Sequence, residues 1–132
     1  MRPSDVPKGS PADWLRHARS DLALAKSPPV GEEVLLETLC FHAQQSVEKA
    51  IKAVLVLHNV PFPKTHNIGV LLELLPPEIR QDAVIDEAAS LTEYAVSSRY
   101  PGEAEDVTVE ELSAAVGVAG RVLAWASGVT AG

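Results

Sequence analysis

The most constraining feature of this sequence is an apolar stripe that persists for six turns between Gly31 and His58. With His42 set at 0° and ~100° allotted per residue, Leu39, Ala50 and Leu57 fall near ~60–80°, and Leu36, Ala43, Val47 and Val54 near ~100–140°. A face that long and that continuous belongs to a helix laid on a core. Asn59-Val60-Pro61-Phe62-Pro63 ends it. Ile51, Leu55 and Phe41, near ~180–260°, lie off the stripe. They form either a second apolar face for a partner chain or a face covered by another helix of the same bundle.

The rest of the chain follows the same period. Ser10-Pro11-Ala12-Asp13 reads as a helix start, with serine as cap, proline in the first turn and aspartate complementing the dipole. Trp14, Leu15, Ala18, Leu22 and Ala25 then recur at helical spacing until Ser27-Pro28-Pro29. A short helix is expected to begin around Thr65-His66-Asn67, with Thr65 as cap and His66 in its first turn, and to carry Ile68, Leu71, Leu72 and Leu75 up to Pro76-Pro77. A further helix starts at about Glu78 or Ala83, presents Val84, Ala88, Leu91, Tyr94 and Ala95, and ends by Ser98, before Arg99-Tyr100-Pro101-Gly102. Thr108-Val109-Glu110-Glu111 is a capping box. It opens a last helix that runs to about Ser127 with Leu112, Val116, Ala119, Leu123 and Ala126 in step; a frayed tail is expected from Gly128. Strand signals are weak, with aromatics at 5%. The expected fold is all-α: one domain over residues 1–132 with an ordered core at about 10–127, an up-and-down bundle of four to five helices.

Charge and composition narrow the function classes. The chain of 132 residues has formal net charge −7. Residues 1–60 hold seven basic and seven acidic side chains, whereas residues 61–132 hold four and eleven. A broad grip on duplex nucleic acid usually needs a basic domain, so that class is disfavoured. The single cysteine, Cys40, excludes an intrachain disulfide and reads as buried and inert. No apolar run in the sequence approaches the ~20 residues of a membrane span, and the N-terminus lacks an apolar segment, so a cytoplasmic protein without membrane contact is expected. No metal-ligand spacing, Gly-rich phosphate loop or nucleophile motif occurs. No cofactor or metal is expected.

Three places could carry chemistry. On the long helix, His42, Gln45, Lys49 and Lys52 form a polar stripe ~80° wide beside the apolar one. It is either a solvated helix edge or an anion site built from an imidazole, an amide and two ammonium groups. Glu48 and Lys52 are also a favourable i,i+4 pair. Thr65-His66 lies where a helix N-terminus could help hold an anion, or where a histidine packs a loop. Arg99-Tyr100 offers a guanidinium at a helix end, favoured there by the dipole and equally able to grip a phosphate bidentately.

Taken together, these segments resemble the HEPN (higher eukaryotes and prokaryotes nucleotide-binding) domain family. The likeness is carried by Trp14 with Ala18, Asp21-Leu22 and Ala25, then Cys40 through Ala53 (CFHAQQSVEKAIKA), then Thr65-His66-Asn67-Ile68 with Leu71-Leu72, and last Arg99-Tyr100-Pro101. It covers roughly residues 11–127. The resemblance implies an up-and-down helical bundle, commonly dimeric, whose bacterial members often partner a small nucleotidyltransferase in toxin–antitoxin pairs. Some members are metal-independent ribonucleases with an Arg followed after four to six residues by a His. None of Arg2, Arg16, Arg19, Arg80, Arg99 or Arg121 has a histidine at that distance. The implied function is therefore a non-catalytic, nucleotide- or phosphate-binding homodimer. The alternative is a ribonuclease using His42, His66 and Arg99. The resemblance also brings His42, Gln45, Lys49, Thr65, His66, Arg99 and Tyr100 forward, joined by Lys52 of the same helical stripe, as one ligand-binding surface, gathered where the long helix meets the loops at 61–66 and 99–102. The opposing expectation is that Gln45, His66 and Arg99 satisfy one another and loop carbonyls inside the bundle.

Overall fold

The computed structural model describes residues 6–27, 33–95 and 107–131, with only the backbone described over 92–95. Among the described residues there are six helices and no strand: α1 (Pro11–Lys26), α2 (Leu36–Leu57), α3 (Ile68–Leu74), α4 (Pro77–Arg80), α5 (Ala83–Ala95) and α6 (Val109–Ala131). The all-α bundle expected from the periodicity is present, with the region after the double proline split into a single turn, α4, and the longer α5. Pro76 keeps Leu75 extended and so ends α3, and Pro77 opens α4, where its missing N–H costs nothing.

α2 is the axis of the molecule. α1 and α6 lie along it, α3 and α5 also pack on it, and α6 reaches both α1 and α5. Of the expected stripe, Leu39, Ala43, Val47, Ala50 and Val54 are buried, whereas Leu57 at the helix end is exposed. Burial also continues around the other side: Ile51 and Leu55 are fully covered within the chain, so these two do not offer a face to a partner, while Phe41 remains exposed. Small side chains let α1 lie close on α2. Ala18, Ala43 and Ala50 have no exposed surface, and the Ser46 hydroxyl donates to the Ala18 carbonyl at 2.9 Å in the buried seam.

The helix ends follow local chemistry. Ser10 Oγ accepts the Asp13 N–H at 3.1 Å, and Asp13 Oδ2 accepts the Gly9 N–H at 2.9 Å, closing the start of α1. That backbone hydrogen bond, then the Arg16 guanidinium, hold the Asp13 carboxyl below its ordinary value. α2 begins at Leu36 rather than near Gly31, because Leu35 is extended (φ −81°, ψ 146°) and offers no capping side chain. It ends in a Schellman turn: Asn59 takes the left-handed conformation (φ 58°), Asn59 N–H donates to Val56 and Val60 N–H to Leu55. α3 starts two residues later than Thr65 capping would give. Asn67 is its cap, accepting the Val70 N–H, while Thr65 Oγ1 accepts the Asn67 N–H in the loop before it.

Thr108 and Glu111 form the expected capping box, each accepting the other's backbone N–H. α6 runs past Ser127 to Ala131, because Val129 still packs on the core and Thr130 Oγ1 donates to the Ser127 carbonyl. Its inward line is Ala115, Ala119, Val122 and Ala126; Leu112, Val116 and Leu123 flank that line half-buried. At 23 residues α6 is also long and apolar enough to cross a membrane by length and composition, a feature concealed in the sequence by the lack of an uninterrupted apolar run. Glu110, Glu111 and Arg121 punctuate it, and Arg121 pairs with Glu87 of α5 at 2.9 Å.

Candidate functional site

The polar stripe of α2 is organised around two carboxylates. Asp21, on the buried side of α1, receives His42 Nδ1 at 3.0 Å on one oxygen and the Lys49 ammonium at 2.6 Å on the other. Both partners come from α2, so the cluster ties the two helices together across 21 and 28 residues of sequence. Lys49 and His42 keep about a quarter of their side-chain surface open. The Phe41 ring stands edge-on to the His42 imidazole, with centroids 5.9 Å apart.

The second carboxylate is Glu48, whose side chain is 2% exposed. The Glu48–Lys52 pair expected from i,i+4 spacing forms at 3.0 Å, and Lys52 is itself only 7% exposed. The Lys52 ammonium lies 5.2 Å from the Trp14 ring centroid and 5.7 Å from that of Phe62, and these two rings meet edge to face at 6.1 Å. A desolvated ammonium between a carboxylate and two π faces is held by charge pairing and by cation–π attraction together. The other Glu48 oxygen takes His66 Nδ1 at 3.0 Å. The His66 ring is 81% exposed. An ionised Glu48 carboxylate accepts from Nδ1–H, which leaves Nε2 as the outward nitrogen.

The expected residues therefore divide. His42 and Lys49 belong to the Asp21 cluster, and Lys52 and His66 to the Glu48 cluster. Thr65 is engaged with the backbone of Asn67. Arg99, Tyr100 and the loop through 106 lie outside the described residues. Gln45 sits between the two clusters and is buried, yet among the described residues its amide has no hydrogen-bond partner; the same holds for Gln44, which is more deeply buried on the Ile51 side of the helix. His66 is satisfied by Glu48 rather than by Gln45. Lys49 and Lys52 are each matched by a carboxylate, so with neutral imidazoles the stripe carries no net charge. Asp21, Trp14 and Phe62 are the supporting residues that α2 alone does not reveal. Asp21 was visible in the sequence as an acidic residue in the middle of the inward face of α1, next to Leu22. Among the described residues no group of three or more His, Cys, Asp or Glu side chains is placed to hold a metal ion. His17 stands 3.6 Å from the Asp13 carboxylate, and Cys40 is buried.

Known proteins share this all-helical fold. The model of the HEPN domain matches residues 11–129, and the chain belongs to that family. A curated relative from Methanocaldococcus jannaschii, named "Putative toxin MJ1304", is 33% identical over 100 residues, covering 67% of this chain and 61% of that protein. The chain thus spans about three fifths of that relative's length. The crystal structure of TT1696 from Thermus thermophilus is similar with TM-score 0.73 and 29% identity, covering 92% of this chain and 98% of that one. ST0689, described as an archaeal HEPN homologue, gives TM-score 0.66 and 27% identity over 90% of this chain and 96% of its own.

Proposed function

We propose that this HEPN chain is a non-catalytic module that binds a nucleotide or another phosphate compound on the α2 stripe. It works as a homodimer and partners a separate minimal nucleotidyltransferase, in an arrangement of the toxin–antitoxin kind. The observation that carries the binding reading is the burial gradient across the Glu48 cluster, from a carboxylate at 2% exposure to a histidine at 81%. A buried ion pair is a weak source of stability, because desolvation offsets much of its attraction. A pair that is kept, walled by two aromatic rings and linked to an outward imidazole, is better explained by what the imidazole contacts. The name of the M. jannaschii relative supports the toxin–antitoxin setting, and the family likeness supports the transferase partner. Isothermal titration with ATP, ADP and AMP should give saturable heat below millimolar ligand; flat titrations would refute ligand binding. A nucleotidyltransferase gene beside this one, and its recovery in a pull-down, are expected of the partner reading. Absence of both defeats it.

One observation favours a second reading, a metal-independent ribonuclease. A histidine backed by a buried carboxylate with its far nitrogen in solvent has the geometry of a general acid–base group. Incubation of the pure protein with mixed RNA separates the two readings. Cleavage that disappears in His66→Ala would establish the ribonuclease. No cleavage, or cleavage that survives both His42→Ala and His66→Ala, would exclude this mechanism.

A further inference from the structure

We infer that Phe41 and Gln45 form a nucleobase subsite, in which the Phe41 ring is the stacking surface and the Gln45 carboxamide pairs with the edge of the base. The inference rests on the nucleotide-binding reading above and names the part of the nucleotide that the stripe takes.

Three features of the stripe lead to it. First, its cations are committed: Lys49 to Asp21 at 2.6 Å and Lys52 to Glu48 at 3.0 Å. A phosphate would have to compete with a carboxylate already at contact distance for either ammonium. Second, among the described residues the one polar group of the stripe that is buried and uncommitted is neutral. Gln45 is 8% exposed, and among the described residues its amide has no partner. Buried amides are nearly always paired, because leaving one unmade costs its desolvation. A carboxamide presents a donor and an acceptor side by side, the pattern that matches the donor–acceptor edge of a base and that a phosphate, all acceptor, matches only in half.

Third, an exposed aromatic ring lies one turn away. Phe41 is 50% exposed, whereas Trp14, Phe62 and Trp125 are half-buried. As i and i+4 on α2, Phe41 and Gln45 share a face, with Cβ atoms ~5–6 Å apart. The Phe41 ring is braced edge-on by His42, which Asp21 holds in turn. A braced ring with a free face is what a base stacks on, and such stacking tolerates any base. The amide beside it then supplies the discrimination that stacking lacks. Gln44 has no such ring beside it on its own side of the helix and is left out of the subsite.

The test uses the full chain and five probes: the adenosine, guanosine, cytidine and uridine 5′-monophosphates, and ribose 5-phosphate, each titrated calorimetrically. At least one nucleotide should bind tenfold or more tightly than ribose 5-phosphate. Phe41→Leu, which keeps an apolar side chain and removes the ring, should weaken that nucleotide about fivefold or more. Gln45→Met, similar in shape without the amide, should level the affinities of the four nucleotides and raise the melting temperature, since it removes an unpaired group from the interior. Equal binding of ribose 5-phosphate and the nucleotides would overturn the subsite while leaving a phosphate site standing. Unchanged base preference in both variants would overturn it as well, as would a Phe41→Leu protein that binds normally but changes its mass in light scattering. No heat with any of the five probes would overturn the nucleotide reading itself.

Discussion

Asp21 and Glu48 are two acidic residues with matching partners, one lysine and one histidine each, and they differ in where those partners come from. Asp21 stands on α1 and takes both partners from α2, with the lysine a quarter exposed. Glu48 stands on α2, takes Lys52 from the next turn of its own helix, and reaches out of the helix to His66 in the loop before α3. Water can replace much of what Asp21 provides. Glu48 and Lys52 are almost wholly shielded from it, with the Lys52 ammonium against Trp14 and Phe62. One pair of elements is thus a staple between helices with an open rim. The other is an interior charge pair that fixes the 61–67 connection and holds one imidazole outward.

The largest effect should come from breaking the interior pair on one side only. Glu48→Gln leaves the Lys52 ammonium buried without its counter-charge, and a loss of about 3–5 kcal/mol in urea unfolding is expected. Glu48→Met combined with Lys52→Met should recover most of that loss, because two apolar side chains need no pairing. A single variant costing under about 1 kcal/mol would erase the contrast between the two clusters. Asp21→Asn comes next, at about 1–2 kcal/mol by the same measurement, since its partners Lys49 and His42 are each about a quarter open to solvent. If Asp21→Asn proves the costlier, the order argued from burial is inverted.

Ser10→Ala should cost about 1 kcal/mol by removing the cap of α1 without touching either cluster. It separates loosening of α1 from loss of the Asp21 staple: thermal stability falls, while ligand binding on α2 stays as it was. The smallest effect is that of Asp13→Asn. The Gly9 N–H and Arg16 hold the Asp13 carboxyl below its ordinary value of 3.8 in the folded chain. Its stabilisation is therefore complete above the unfolded value and lost as pH falls through the folded one. Melting curves of the wild type and the variant should differ modestly at neutral pH and begin to converge only as pH falls below about 4. A gap that stays constant across that range would contradict the hydrogen-bond assignment.

Much of the fold was legible because helical period is a local property. The start of α1, the end of α2 and the capping box of α6 were all visible in short runs of residues whose chemistry is settled within one turn. The start of α2 was not, since an extended Leu35 has no signature of its own. The site was legible on one helix only. His42, Gln45, Lys49 and Lys52 read as one stripe because the wheel of a single helix gives angles, not partners. What divides them is Asp21, 21 residues from His42 and 28 from Lys49, and the Trp14–Phe62 wall, whose members come from opposite sides of α2 in sequence. The expectation of a cationic patch failed to include those carboxylates for the same reason. Tertiary pairing decides the local charge, and composition cannot.

On the proposed function, the α2 stripe is a binding surface rather than a satisfied structural edge. Nitrogen–proton correlation spectra of the labelled protein, recorded during a titration with AMP, test it directly. Saturable shifts are expected at Phe41, His42, Gln45, Lys49 and His66 together, while the open groove between α3 and α5, lined by Leu72, Pro77, Arg80 and Ile85, stays unmoved. Spectra that stay unchanged at millimolar AMP, or shifts confined to that groove, would contradict it.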